Sequence, residues 1–238
     1  MEEHYFQIYP EQIGQDNFTL SEKESRHFSK SLRKSIGDSL WLLDGMGTAF
    51  KGVALEITDG CISGKIEHSH PNYGESSFSI QLAIGLIKGN RMDMVLEKAT
   101  ELGVHSIHPL ILDRCVKTKL NMERANRIVA SAAKQAGRSL FPKVYEPISL
   151  SKWLNEYNHE HKILCHMMGS QPLAVALGNE KKSVCIIIGP EGDFSENEFE
   201  QMEQFNVEKA LLGPRRLRSE SAAMVAISNL NQLIDDQK

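Results

Sequence analysis

The chain has 238 residues, 41% hydrophobic and 24% charged, which is globular composition with length for one large domain or two modest ones. No Gly/Ser-, Pro- or Gln-rich tract marks a disordered region, and the four cysteines, Cys61, Cys115, Cys165 and Cys185, form no C-x-x-C pair and read as ordinary buried thiols of a reducing compartment. The opening MEEHYFQIYPEQ lacks the basic head and apolar run of a secretory signal, and no stretch approaches the ~20 apolar residues of a membrane helix, so a soluble, cytoplasmic chain with no membrane association is expected.

Net charge is −4, which by itself gives no sign of nucleic-acid binding. The distribution does: Arg114 to Lys143 holds eight Lys/Arg against one acid, Glu123, and Glu191 to Glu208 holds seven acids and no base. Segregation of this kind lets an acidic protein keep a positive face for a phosphate backbone, although two solvated helix faces would give the same counts.

Residues 1 to about 72 show short apolar runs, Tyr5–Tyr9, Ser39–Leu43, Thr48–Leu55 and Cys61–Glu67, broken by Asp44-Gly45 and Asp59-Gly60. That rhythm predicts a small antiparallel sheet or barrel. One helix interrupts it, opened by the capping box Ser21–Glu24, with Phe28 and Leu32 on one stripe and Arg26, Lys30 and Arg33 on another. The polar run His70–Ser77 reads as a linker.

Beyond it, strand-like runs at Ile80–Lys88, Ser106–Leu112, Lys143–Ile148, Lys162–Met168, Ser183–Ile188 and Lys209–Leu212 alternate with helices, the arrangement of a largely parallel α/β sheet. Asn90 is placed to cap a helix ending at Gly103. A second helix spans Asn121–Gly137, with Arg124, Arg127, Lys134 and Arg138 opposite its apolar face. Ser195–Glu198 is a second capping box, with Phe194 and Phe199 as its hydrophobic staple. A last helix, about Ser219 to Leu233, buries Ala222, Ala223, Ala226, Leu230 and Leu233.

The run Cys185–Gly192 is a buried strand stopping at Gly189-Pro190, and Leu211–Arg215 repeats the design one strand later. In open α/β sheets ligands bind beyond the carboxyl ends of strands, where glycine admits backbone close to the ligand. Two adjacent Gly-Pro ends predict one shared pocket. Neither is G-x-x-x-x-G-K-[ST] or G-x-G-x-x-G, which argues against nucleotide hydrolysis and nicotinamide chemistry. His159, Glu160, His161, Cys165 and His166 have the residue types of a metal site, but their spacing fits neither a zinc finger nor H-E-x-x-H, so no metal is expected.

Five ordered segments, Lys88–Asp93, Ala99–Val104, Gln135–Arg138, Ile188–Gly192 and Leu212–Ala222, together with His27 and Leu32-Arg33, resemble the ribosomal RNA small subunit methyltransferase E family over roughly residues 20 to 230. The resemblance implies a SPOUT-type α/β domain with a trefoil knot, residues 78–238, behind a PUA-like β-barrel for RNA binding, residues 1–72. It implies a homodimer that uses S-adenosylmethionine to methylate a uridine at N3 in 16S ribosomal RNA, free or in the small ribosomal subunit. The chain departs from the family pattern at Asp193, where a second glycine is usual, at Arg216, where an aliphatic residue is usual, at Ser219 and Ser221, where threonines are usual, and at Lys134-Gln135-Ala136.

From that resemblance the cofactor is expected at Met167, Gly169, the turn Ile188, Gly189, Pro190, Glu191, Gly192, and the turn Leu212, Gly213, Pro214, Arg215 with Leu217. RNA is expected on Arg26, Lys30, Arg33, Arg91, Arg124, Arg127, Gln135 and Arg138. Arginine stays charged and offers a planar fork, so Arg218, with Arg138 of a partner subunit, is expected to stabilise a uracil anion, and Glu220 is the candidate base. Two other readings stay open: a knotted methyltransferase acting on another nucleotide, and an RNA-binding module without catalysis.

Overall fold

The computed structural model describes residues 3–157, 161–179 and 182–235. The chain divides into two compact units, one of Met1–Glu75 with Ala130–Phe141, the other of Ser76–Val129 with Pro142–Lys238.

The first unit carries β1 (Tyr5–Gln7), β2 (Asn17–Thr19), a short helix α1 (Glu22–Arg26), β3 (Ser39–Leu43), β4 (Thr48–Thr58) and β5 (Cys61–Pro71). The strands pair in the order β1-β3-β4-β5-β2. The sequence rhythm points to an antiparallel sheet or barrel; the sheet is mixed, because β1 runs parallel to β3 with Tyr5 opposite Trp41. Among the described residues no ladder joins β1 to β2. Asp59 and Gly60, at φ 51° and 79°, make the two-residue turn that closes β4 onto β5. Two positive φ values in a row give the turn whose twist matches a hairpin, which is why an Asp-Gly pair stands there. Phe6, Phe18, Phe28, Leu40, Leu42 and Ile62 form the core beneath.

The Ser21–Glu24 capping box forms by half. Ser21 Oγ accepts the Glu24 amide hydrogen at 3.3 Å, but the Glu24 carboxylate, in a residue only 4% exposed, takes Lys134 Nζ at 2.7 Å. A carboxylate out of water gains more from a cation than from one amide. After Arg26 the helix loosens into a wider turn over His27–Ser31, and Arg33 sits at φ 53°. Arg26, Lys30 and Arg33 are all exposed, yet they do not form the single helical stripe that their spacing suggests.

A second buried pair lies in the same unit. Arg138 donates from Nε and Nη2 to the Glu75 carboxylate at 2.7–3.2 Å, with the two side chains 3% and 5% exposed. Glu75 Oε1 also accepts the Leu140 amide hydrogen at 3.0 Å.

The second unit runs β6 (Ser79–Gly85), α2 (Asn90–Glu101), β7 (Val104–Ile111), α3 (Met122–Ala136, whose residues from Ala130 on count with the first unit), β8 (Lys143–Val144), β9 (Ile148–Ser149) and α4 (Leu150–Glu156). It continues with β10 (Lys162–Cys165), β11 (Gln171–Pro172), α5 (Leu173–Leu177), β12 (Ser183–Ile188), α6 (Glu196–Gln204), β13 (Glu208–Leu211) and α7 (Ser219–Asp235). The strands pair in the order β11-β13-β10-β12-β6-β7-β8, with β9 also on β7, and every pair is parallel. This is the parallel α/β sheet that the alternation predicts. Val184 to Ile188 are all buried, as a strand covered on both faces requires.

Local signals hold in some places and shift in others. Ser195 and Glu198 complete their capping box in both directions, and the Phe194 and Phe199 rings lie 5.5 Å apart. Asn90 is the first helical residue of α2 rather than its cap; Gly89, at φ 61°, holds that place. The run Lys143–Ile148 splits into β8 and β9, with Pro147 between them unable to donate to a ladder. In α7, Ala223, Ala226 and Leu230 are buried, while Ala222 and Leu233 are half-buried. Asn231 Nδ2 donates to the Leu102 carbonyl at 2.7 Å and fills an acceptor that the end of α2 leaves open.

Arg138→Ala strands Glu75 in the core of the first unit and is expected to lower stability by ~3–5 kcal/mol, measured as a fall in the urea midpoint. Replacing both partners by apolar residues, Arg138→Met with Glu75→Leu, is expected to cost much less.

Candidate functional site

A cleft of about 1000 Å³ opens in the second unit at the carboxyl ends of β10, β12 and β13. Three turns build it. Cys165, His166 and Met167 come from the end of β10, Ile188 through Glu191 and Asp193 from the end of β12, and Leu211 to Gly213 with Arg215 to Arg218 from the end of β13; Arg91 of α2 and Ser219 and Ala222 of α7 complete the wall. β10 pairs with β12 on one side and β13 on the other, so the turns leave the sheet side by side. This is the place where an open parallel sheet takes ligands.

Glycine lets these turns approach what they touch. A Cβ on Gly169 would lie 2.4 Å from the Ala210 carbonyl carbon, and one on Gly189 would lie 2.7 Å from Phe194 Cε2. Both are closer than real Cβ contacts come, so the turn after β10 seats on β13 and the turn after β12 seats on the staple of α6 only without a side chain.

The polar groups are arranged in two sets. Glu191 Oε1 meets Arg91 Nη2 at 2.9 Å and the Lys88 amide nitrogen at 3.4 Å, tying the β12 turn to the start of α2. Asp193 meets His166 Nε2 at 2.9 and 3.0 Å. Burial alone would raise the Asp193 carboxyl; the His166 bond, the Phe194 amide hydrogen and the charge of Arg216 outweigh it and hold the group below its ordinary range. Arg215, Arg216 and Arg218 are exposed along the remaining rim. Arg114 Nη1 braces the β12 turn by donating to the Gly192 carbonyl at 3.1 Å. Apolar surface comes from Ile188, Leu212 and Leu217.

Of the residues expected at a cofactor, Met167, Ile188, Gly189, Pro190, Glu191, Leu212, Gly213, Arg215 and Leu217 line the cleft; Gly169, Gly192 and Pro214 shape its turns without lining it. Arg218 and Arg91 line it as well. Glu220 does not: it is buried in the first turn of α7, and its Oε2 has no hydrogen-bond partner. The expectation of a solvent-facing Arg138 is corrected by its buried pairing with Glu75. Arg124 is exposed and bound to Asp93 of α2 at 2.7 Å, while Arg127 and Gln135 are exposed. Sequence reasoning missed His166 and Asp193 as a pair. The two residues lie 27 positions apart, so no local pattern joins them.

Among the described residues no group of three or more His, Cys, Asp or Glu could hold a metal ion, and no helix is long and apolar enough to cross a membrane. His159 and Glu160 lie outside the described residues. Of the four cysteines, Cys165 and Cys185 are buried and Cys61 and Cys115 only partly so, a narrower result than four buried thiols.

Gly169→Ala is expected to lower stability by ~1–3 kcal/mol through overpacking against Ala210, seen in a denaturant titration. Burial pushes the Cys165 thiol up to about 12 and raises that of Cys185. Both are therefore expected to resist a thiol-disulfide reagent at pH 8 in folded protein and to react once it is unfolded.

The model of a family described as an RNA methyltransferase domain matches residues 74–231. A ribosomal RNA small subunit methyltransferase E of Buchnera aphidicola is 30% identical over 231 residues, 94% of this chain and 91% of the relative. Its namesake in Synechocystis is 26% identical over 235 residues, 96% of this chain and 77% of the relative. The crystal structure of such a protein from Neisseria gonorrhoeae, bound to S-adenosyl methionine, shares the fold with a TM-score of 0.86 at 28% identity, over 98% of each chain. A family match across most of the second unit, joined to a relative matched over nearly the whole length, places this chain in the ribosomal RNA small subunit methyltransferase E family.

Proposed function

We propose that the cleft binds S-adenosylmethionine and that the protein methylates N3 of a uridine in 16S ribosomal RNA, as a cytoplasmic homodimer with a knotted second unit and a PUA-like first unit. The observation that carries the reading is the joining of three turns, at the ends of adjacent parallel strands, around one partly apolar cleft. The donor set fits the cofactor: apolar walls at Ile188, Leu212 and Leu217 suit an adenine ring, and backbone groups of the glycine turns suit its polar edge.

S-adenosylmethionine supplies a methyl group already activated on a sulfonium. What remains for the protein is to align the reactants, worth ~7–11 kcal/mol at best, and to stabilise the uracil as its N3 proton leaves. Arg218, exposed in the lining, offers a fixed cation to a uracil carbonyl oxygen. Arg215 and Arg216 give the rim a positive charge for the phosphates on either side of the target. A base inside folded RNA must be extruded to reach the cleft. We assign Glu220 to the start of α7, where a carboxylate is favoured by the helix dipole, rather than to the reaction.

The reading is tested by mass mapping of modified nucleosides in 16S RNA from cells with and without the gene. Loss of a single N3-methyluridine is expected; an unchanged map, or loss of a different nucleoside, overturns it. In purified protein, Arg218→Ala is expected to lower kcat by about 10²-fold with little change in cofactor affinity, and Glu220→Gln is expected to turn over within about threefold of the wild type.

A further inference from the structure

Asp193 stands at φ 68°, in the left-handed region that costs a side chain energy unless something repays it. Its Oδ1 accepts the Phe194 amide hydrogen at 2.9 Å, and both carboxylate oxygens face His166 Nε2. His166 is itself fixed on three sides. Its amide donates to the Ala210 carbonyl of β13 at 3.0 Å, its Nδ1 accepts the Met168 amide hydrogen at 3.1 Å, and its ring lies edge-on to Phe199 at 5.1 Å. With Nδ1 used as an acceptor, the proton of the neutral ring lies on Nε2 and is donated to Asp193.

One bond thus joins the turn after β10 to the turn after β12, and both partners line the cleft. Arg216, in the turn after β13, lines the same cleft and adds its charge to the field at Asp193. The carboxylate thus bonds the turn after β10 to its own turn and lies within the field of the third.

We infer that His166 and Asp193 are positioning residues, a latch that holds the β10 and β12 turns at the separation the cofactor requires. The inference rests on the proposed cofactor. The latch acts on the shape of the cleft and not on the reacting atoms, so it changes binding of the methylated cofactor and of its demethylated product alike.

Calorimetric titration of the full-length protein with S-adenosylmethionine and with S-adenosylhomocysteine tests it. Asp193→Gly removes the carboxylate while relieving the backbone, and His166→Phe keeps the ring but loses the donor. Each is expected to raise both dissociation constants by about 5–10-fold, the worth of one lost hydrogen bond, and the double variant is expected to be no worse than the single ones. Asp193→Asn, which tolerates the same φ and still accepts from His166, is expected to stay within about twofold. Saturating kcat is expected to change little in all of them.

Unchanged binding in Asp193→Gly, or additive losses in the double variant, overturns the latch. So does a loss confined to S-adenosylmethionine, which would assign Asp193 to its positive charge instead. Wild-type protein that binds neither molecule overturns the functional reading itself, whatever the variants do.

Discussion

Parallel pairing of β10 between β12 and β13 is the constraint from which the site follows. Neighbours in a parallel sheet run the same way, so their chains must leave it at the same edge. The ladder extends one step past β10, where the His166 amide meets the Ala210 carbonyl. The turns are then close enough for single side chains to bridge them. Glu191 reaches back to Lys88 and Arg91, and Asp193 reaches across to His166. No one loop makes the cleft, and a change in any of the three moves a wall that the others share.

Charge tells a second story. The excess of cations between Arg114 and Lys143 looks like one positive face, but the fold spends them differently. Lys134 and Arg138 neutralise the buried carboxylates of Glu24 and Glu75, and Arg124 lies against Asp93. Each of those acids is remote in sequence from its cation, so a count along the chain cannot see the pairing. For Glu24 and Glu75 desolvation makes the pairing obligatory, because a lone buried carboxylate costs far more than the pair. The positive surface that this segment leaves over is smaller than the composition suggests, and the arginines at the rim of the cleft, Arg215, Arg216 and Arg218, lie outside it.

The parallel sheet and the two Gly-Pro turns were legible because each rests on local chemistry. A buried run such as Val184–Ile188 and a complete capping box such as Ser195–Glu198 need no knowledge of distant residues. What escaped the sequence depends on contacts far apart. The parallel seat of β1 on β3, the diversion of Glu24 from its own cap to Lys134, and the bond from His166 to Asp193 are each decided by a partner that no window contains. Short elements escaped for another reason: β11 and α5 hold too few residues to show any period.

The order of the strands also bears on how the chain is made. β6 pairs on one side with β7, which follows it closely, and on the other with β12, where Ser79 lies opposite Ser183. During synthesis β6 therefore waits with the backbone groups of one edge unpaired until most of the second unit has left the ribosome. Closing such a distant contact is slow, and an open edge is a template for the wrong partner. In the finished sheet this edge is paired with β12 from Ser79 to Ile84; in the nascent chain it stays open for the interval between the making of those two strands.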